Sequence, residues 1–161
     1  MLALNPFRQS ANLCGPAALK IVLGYYGVTV SEKKLAKLAR SDNWGTRAEH
    51  LVATAKKLGF NAHIKNFADL SDIRTYVKRG IPVIVDWFSG DDGHYSPVAG
   101  IDAKYIYLQD SELGRIRHID LKTFKRVWFD FTGDFLKKKS DIVLRSMIVV
   151  FPKNNRAARR K

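Results

Sequence analysis

The prevailing period of the apolar residues changes at Gly80, and that change restricts the fold more than any other feature. Upstream they recur mostly at helical spacing; downstream they gather mostly into short β-rich runs. Ala17, Ala18, Leu19, Ile21, Val22, Leu23 and Tyr25 predict a mostly buried first helix, stopped at Gly27. A second helix runs from an N-cap at Ser31 to Ala39, with Leu35 and Leu38 facing inward. The third begins at Thr46 or Arg47, carries Leu51, Val52, Ala55 and Leu58, and ends at Gly59. Phe60 to Ile64 alternates as a short strand. Leu70, Ile73, Tyr76 and Val77 form a fourth amphipathic helix, capped by Asp69 or Ser71 and ended by Gly80.

Beyond Gly80, Ile81–Phe88, Tyr95–Ile101, Tyr105–Gln109 and Ile116–Ile119 read as consecutive strands, most economically an antiparallel meander. Leu121 to Val127 is a short helix, and Val143 to Phe151 a last strand that returns to the sheet. A helical half followed by a strand half indicates an α+β domain, with the groove between the halves as the natural site.

Residues 1–152 fit one domain with one core, followed by a basic, disordered tail at 153–161. The longest uncharged apolar runs, Ile81–Val85 and Met147–Phe151, fall far short of the roughly 20 residues of a membrane helix. With no signal-peptide pattern and a single cysteine, the expectation is a soluble, cytoplasmic chain, with monomer as the default. The 28 Lys and Arg against 15 Asp and Glu give a net charge of +13, but much of the excess sits in the tail and in Lys137–Lys139. No zinc-finger spacing or aromatic RNA-binding strand accompanies it, so specific nucleic-acid recognition is not expected.

That one cysteine, Cys14, lies where a polar loop turns into the first helix. A helix N-terminus supplies unpaired N–H groups and the positive end of a dipole, and both favour a thiolate over a thiol. A lone cysteine is otherwise a small buried hydrophobe. On the strand side, Gly93-His94-Tyr95 opens one strand and Leu108-Gln109-Asp110-Ser111 closes the next. A turn at Asp102–Lys104 therefore makes His94 and Asp110 neighbours. A carboxylate that orients an imidazole, an imidazole that moves the thiol proton and a sulfur that attacks a carbonyl are the parts of nucleophilic catalysis. Gln9, five residues before Cys14, can offer its amide to the oxyanion together with the Cys14 N–H.

Gln9…Cys14-Gly15-Pro16-Ala17, Tyr25-Tyr26-Gly27, Gly45-Thr46, Gly93-His94-Tyr95 and Asp110 together resemble the papain-like cysteine peptidase family 39, the bacteriocin-processing or double-glycine peptidases. The resemblance runs from about Gln9 to the final strand. It implies a papain-like fold with Cys14 as nucleophile, His94 as general base and acid, Asp110 as its orienting residue and Gln9 as oxyanion donor. Asn12 is the substitute donor, because the interval from Gln9 to Cys14 is one residue shorter than the family's. No metal or cofactor is implied. Well-known members are N-terminal domains of ABC transporters that cut leader peptides after Gly-Gly. This chain has no GxxxxGK[ST] motif, which leaves a peptide or protein substrate and partnership with a separate transporter as the expectations.

Two other functions use the same residues: a peptide-binding module that has lost the chemistry, and an amidase or acyltransferase acting through the same thioester. His50 and His63 lack a second ligand at metal spacing, His118 reads as a solvent-face strand residue, and Asp91-Asp92 as a turn. Trp44, Trp87 and Trp128 are expected to pack in the core or at its rim, with lining of the groove as the alternative.

Overall fold

The computed structural model describes residues 1–154 and contains five α-helices and eight strands. The helices are α1 (Cys14–Tyr25), α2 (Glu32–Leu38), α3 (Ala48–Lys57), α4 (Leu70–Lys78) and α5 (Leu121–Val127). The strands are β1 (Phe60–Lys65), β2 (Val83–Ser89), β3 (Asp92–Ile101), β4 (Tyr105–Asp110), β5 (Arg115–Asp120), β6 (Phe129–Phe131), β7 (Ile142–Leu144) and β8 (Ser146–Pro152). Most of the basic tail expected at 153–161 lies outside the described residues.

Helix ends fall where local chemistry puts them. Gly27 takes a φ of 80° after α1, so the Val28 N–H reaches the Leu23 carbonyl and the Gly27 N–H that of Gly24. Gly80, with a φ of 74°, closes α4 in the same way through Ile81 and Tyr76. Ser31 accepts from the Lys34 N–H at the start of α2, and at the start of α4 the Asp72 carboxylate accepts the Asp69 N–H at 2.8 Å.

The main sheet is antiparallel, in the order β1-β8-β2-β3-β4-β5. The meander β2 to β5 stands as expected, while β8 returns to pair between β1 and β2. Alternation along the strands buries both faces. Ile84, Ile148 and Val150 pack with Leu19, Leu23, Leu35 and Leu51 of α1–α3, whereas Val83, Val85, Met147 and Val149 pack with Ile73 of α4 and Phe124 of α5. Thus α4, although part of the helical half, covers the opposite face from α1–α3.

Two expectations need correction. The strand from Val143 to Phe151 is broken at Arg145, where φ reaches 48°. The break has a cause: the Arg145 N–H donates to the Trp128 carbonyl and the Trp128 indole N–H to the Ser146 carbonyl. The piece before it, β7, pairs instead with β6, a short strand absent from the sequence reading, to form a separate ribbon. Trp44 packs in neither core nor rim: it is 79% exposed, whereas Trp87 and Trp128 are buried.

Candidate active site

Cys14 is the first residue of α1 and is half-buried. Neither a side-chain cap nor an acidic residue occupies the first turn. Its N–H groups and the positive end of the helix dipole therefore act on the sulfur and on whatever lies in front of it. Pro16, in that first turn, removes an N–H that would have no intrahelical partner. Gly15 has a packing reason. A Cβ there would stand 3.0 Å from Thr46 Cβ and 3.2 Å from Leu51 Cδ1, so its absence lets α1 settle on the start of α3.

His94, near the start of β3, and Asp110, the last residue of β4, come together as the hairpin predicts: His94 Nε2 lies 2.9 Å from Asp110 Oδ1, and both are buried. A carboxylate accepts only, so Nε2 carries the proton and Nδ1 is left for Cys14. Burial alone would lower the His94 pKa, but hydrogen bonds to Asp110 and to Cys14 raise it to about 9. The imidazole is thus held as a cation at neutral pH. For Asp110, burial pushes the carboxyl up. The His94 hydrogen bond and charge, the Arg117 guanidinium and the Glu112 N–H outweigh it and leave it below the usual carboxylate range.

Arg117 and Trp87 complete this surround, and sequence reasoning assigned no role to Arg117. Its Nε lies 2.7 Å from Asp110 Oδ2, and its guanidinium stands over the Trp87 ring at 5.5 Å. Trp87 meets the His94 ring edge-on at 5.8 Å and donates its indole N–H to Ser96 Oγ. The register gives the signal that was available: Asp110 opposes Arg115 and Leu108 opposes Arg117, so Arg117 is the diagonal neighbour of Asp110 across the β4–β5 pair.

Gln9, Asn12, Cys14 and His94 line one cavity of about 400 Å³, with Asp91, Asp92 and Glu112 among the residues around it. Ser111 fixes Gln9 twice: the Gln9 N–H donates to the Ser111 carbonyl, and the Ser111 hydroxyl donates to Gln9 Oε1 at 2.7 Å. With Oε1 engaged as acceptor, the Nε2 end remains as a donor. Asn12 is exposed, in a left-handed conformation with φ of 61°. His94, Asp110 and Glu112 bring potential ligand atoms within 4.8 Å of one another. Arg117 against Asp110 puts a positive charge where a cation would sit, so the arrangement fits an oriented histidine better than a metal centre. His63 is exposed beside Tyr76 and His118 is exposed on β5.

Residues 7–133 match the family model of the peptidase C39 family. An uncharacterized protein of Methanothermobacter marburgensis is 38% identical over 130 residues, covering 80% of this chain and 84% of that protein. The lactococcin-G-processing and transport ATP-binding protein LagD of Lactococcus lactis is 27% identical over 136 residues, 83% of this chain but 18% of LagD. Among solved structures, the peptidase domain of Streptococcus ComA, a bi-functional ABC transporter involved in a quorum sensing pathway, superposes with a TM-score of 0.73 and 26% identity. That match covers 93% of this chain and 99% of that domain. A double glycine motif protease from an AMS/PCAT transporter, solved with the leader peptide, shares the fold at a TM-score of 0.69 and 20% identity, covering 94% of this chain and 93% of that one. Helices on both faces of an antiparallel sheet, with the cysteine at the head of α1, are thus the papain-like fold of these peptidase domains. The chain belongs to the peptidase C39 family.

Proposed function

We propose that this domain hydrolyses a peptide bond through a thioester, with Cys14 as nucleophile, His94 as general base and acid, Asp110 as the residue that orients His94, and Gln9 as an oxyanion donor. The observation that carries the reading is the buried His94, hydrogen-bonded to Cys14 on one side and to Asp110 on the other. The sulfur attacks the carbonyl carbon, and the carbonyl π electrons move onto oxygen. The Gln9 amide and the Cys14 N–H, from two residues that line the cavity, stabilise that oxyanion. The imidazolium then gives its proton to the departing amine as the C–N bond breaks. Water, deprotonated by the same imidazole, adds to the thioester; the C–S bond breaks and a carboxylic acid leaves.

The substrate class is a peptide or protein segment, leader peptides with a Gly-Gly pair being the first to test. LagD and ComA are each several times longer than this chain. Partnership with a transporter and a cytoplasmic location belong to the same proposal. Among the described residues no helix is long and apolar enough to cross a membrane.

The test is a set of synthetic peptides carrying Gly-Gly and control sequences, analysed by mass spectrometry in water enriched in ¹⁸O. Wild-type protein should cut at one bond and place ¹⁸O in the new carboxyl, while Cys14→Ala should cut nothing and keep the fold. Turnover surviving in Cys14→Ala overturns the proposal. Product formed only with an added amine, without ¹⁸O, moves the assignment to acyl transfer.

A further inference from the structure

The mechanism leaves one acidic pair unused, Asp86 buried and Asp130 half-buried. Asp86 of β2 is 4% exposed, opposite Tyr95 of β3 and Ser146 of β8, and it hydrogen-bonds to Asp130 of the β6–β7 ribbon. Two carboxyls can hydrogen-bond only if one keeps its proton. The structure indicates which one. Asp130 Oδ1 accepts the Phe131 N–H at 2.7 Å, a bond that favours a carboxylate, whereas Asp86 Oδ1 has no hydrogen-bond partner. Asp86 is therefore the O–H donor and Asp130 the acceptor.

A second, independent observation ties this pair to the site. A Cβ built on Gly93 would overlap the Asp130 carboxylate. Gly93 is not among the glycines with a left-handed φ, so the turn does not require glycine here; the carboxylate lying on its backbone does. Gly93 is the residue before His94. Phe88, opposite Gly93 in the β2–β3 register, stacks on Phe129 at 5.2 Å and on Phe131 at 5.5 Å, so aromatic rings on both sides of Asp130 press the same ribbon onto the same strand pair.

We propose that Asp86 and Asp130 share one proton and act as positioning residues, pinning the β6–β7 ribbon across Gly93 and so holding His94 against Cys14. The groups facing the pair agree with a retained proton. Burial raises the Asp86 carboxyl well above its ordinary range, Asp130 and Cys14 oppose its ionisation further, and His94 works the other way. Asp130 is raised by burial and by Asp92 of β3, against the Phe131 N–H and the Asp86 hydrogen bond. Tyr95, beside them, is raised by burial and feels Asp86, Cys14, Asp130 and Glu49 of α3.

This inference rests on the reading of Cys14 and His94 as a reactive pair, so its test has one arm that needs that reading and one that does not. The first arm is the rate of Cys14 alkylation by iodoacetamide at pH 6.5, where an ordinary thiol with pKa ~8.5 is about 1% ionised. Asp130→Ala should slow alkylation at least tenfold. Asp86→Asn, whose amide donates the same hydrogen bond, should stay within twofold of the wild type. Equal rates in Asp130→Ala, or an equal loss in both variants, overturn the proposal. The second arm follows the Asp side-chain carboxyl carbons by ¹³C NMR between pH 4 and pH 9. One carboxyl should stay protonated past pH 6, and that titration should vanish in Asp86→Asn; two carboxylates at pH 6 overturn the shared proton. A wild-type Cys14 that reacts only as an ordinary thiol sinks the catalytic reading, while the carboxyl titration still decides the pair.

Discussion

Asp110→Asn removes a buried charge and should change how the stability of this protein depends on pH. His94 has a pKa of about 9 when folded against an ordinary value of 6.5. The gap, at about 1.4 kcal/mol for each pH unit, amounts to about 3 kcal/mol. Because folding raises this pKa, the stabilisation is fully present below pH 6.5 and is lost as the pH climbs through 9. Asp110 contributes in a different window: its carboxyl is lowered by folding, so its own term is lost only as the pH falls into the acid range. Asp86 declines with rising pH in the same direction as His94, since a raised carboxyl binds its proton longer when folded. Both proteins contain it, so their difference cancels it. Urea unfolding, followed by the fluorescence of the buried Trp87 and Trp128, should therefore show wild type and Asp110→Asn well separated at pH 6 and much closer at pH 10. With a urea slope of ~1–3 kcal/mol per molar, 3 kcal/mol corresponds to about 1–3 M in midpoint, less the share of the His94 shift that Cys14 retains. A proton NMR titration of His94 should place its midpoint near 9 in the wild type and lower in the variant. Midpoints in urea that run parallel from pH 6 to pH 10, or a wild-type His94 titrating near 6.5, would refute the reasoning.

Two further outcomes follow from single contacts. Ser111→Ala takes away the donor on Gln9 Oε1 while the backbone bond between them remains. Peptide turnover should fall by about tenfold, a fraction of the 10²–10³ lost with a whole oxyanion donor, at unchanged KM and unchanged alkylation of Cys14; equal turnover would mean that Gln9 needs no such support. Gly15→Ala forces a methyl against Thr46 and Leu51 and should cost about 1–3 kcal/mol in urea unfolding, whereas a neutral result would contradict the close approach of α1 to α3.

The sequence made helix boundaries legible because the signals lie within a few residues of the event. Gly27 and Gly80 release the chain through left-handed turns, Ser31 accepts the Lys34 N–H, and Asp72 accepts the N–H of Asp69. The β2–β5 meander was legible for a similar reason, since consecutive strands with short turns have few alternatives. The break at Arg145 was not, because it depends on the carbonyl of Trp128, far away along the chain. Nor did helical spacing reveal that α4 covers the second sheet face. An apolar stripe states that a helix is buried, and says nothing about which layer it meets.

The same division runs through the candidate site. A cysteine at a loop-to-helix boundary and a histidine at a strand start are visible residue by residue, and one hairpin brings His94 beside Asp110. What keeps Asp110 usable had no local signature. It is fully buried, and a buried carboxylate with one free oxygen would take up a proton and weaken its hold on the imidazolium. Arg117 prevents this by engaging Oδ2, which leaves Oδ1 to His94 and the Glu112 N–H. The guanidinium also draws on the charge that attracts His94, yet His94 remains raised to about 9, so the hydrogen-bonded geometry outweighs that competition. Charge therefore alternates from His94 through Asp110 to Arg117, with Trp87 between the two cations: its ring faces the guanidinium and meets the imidazole edge-on. The buried His94 and Asp110 need each other and the half-buried Arg117 to stay charged, which is why the arrangement becomes apparent only when β2, β3, β4 and β5 lie side by side.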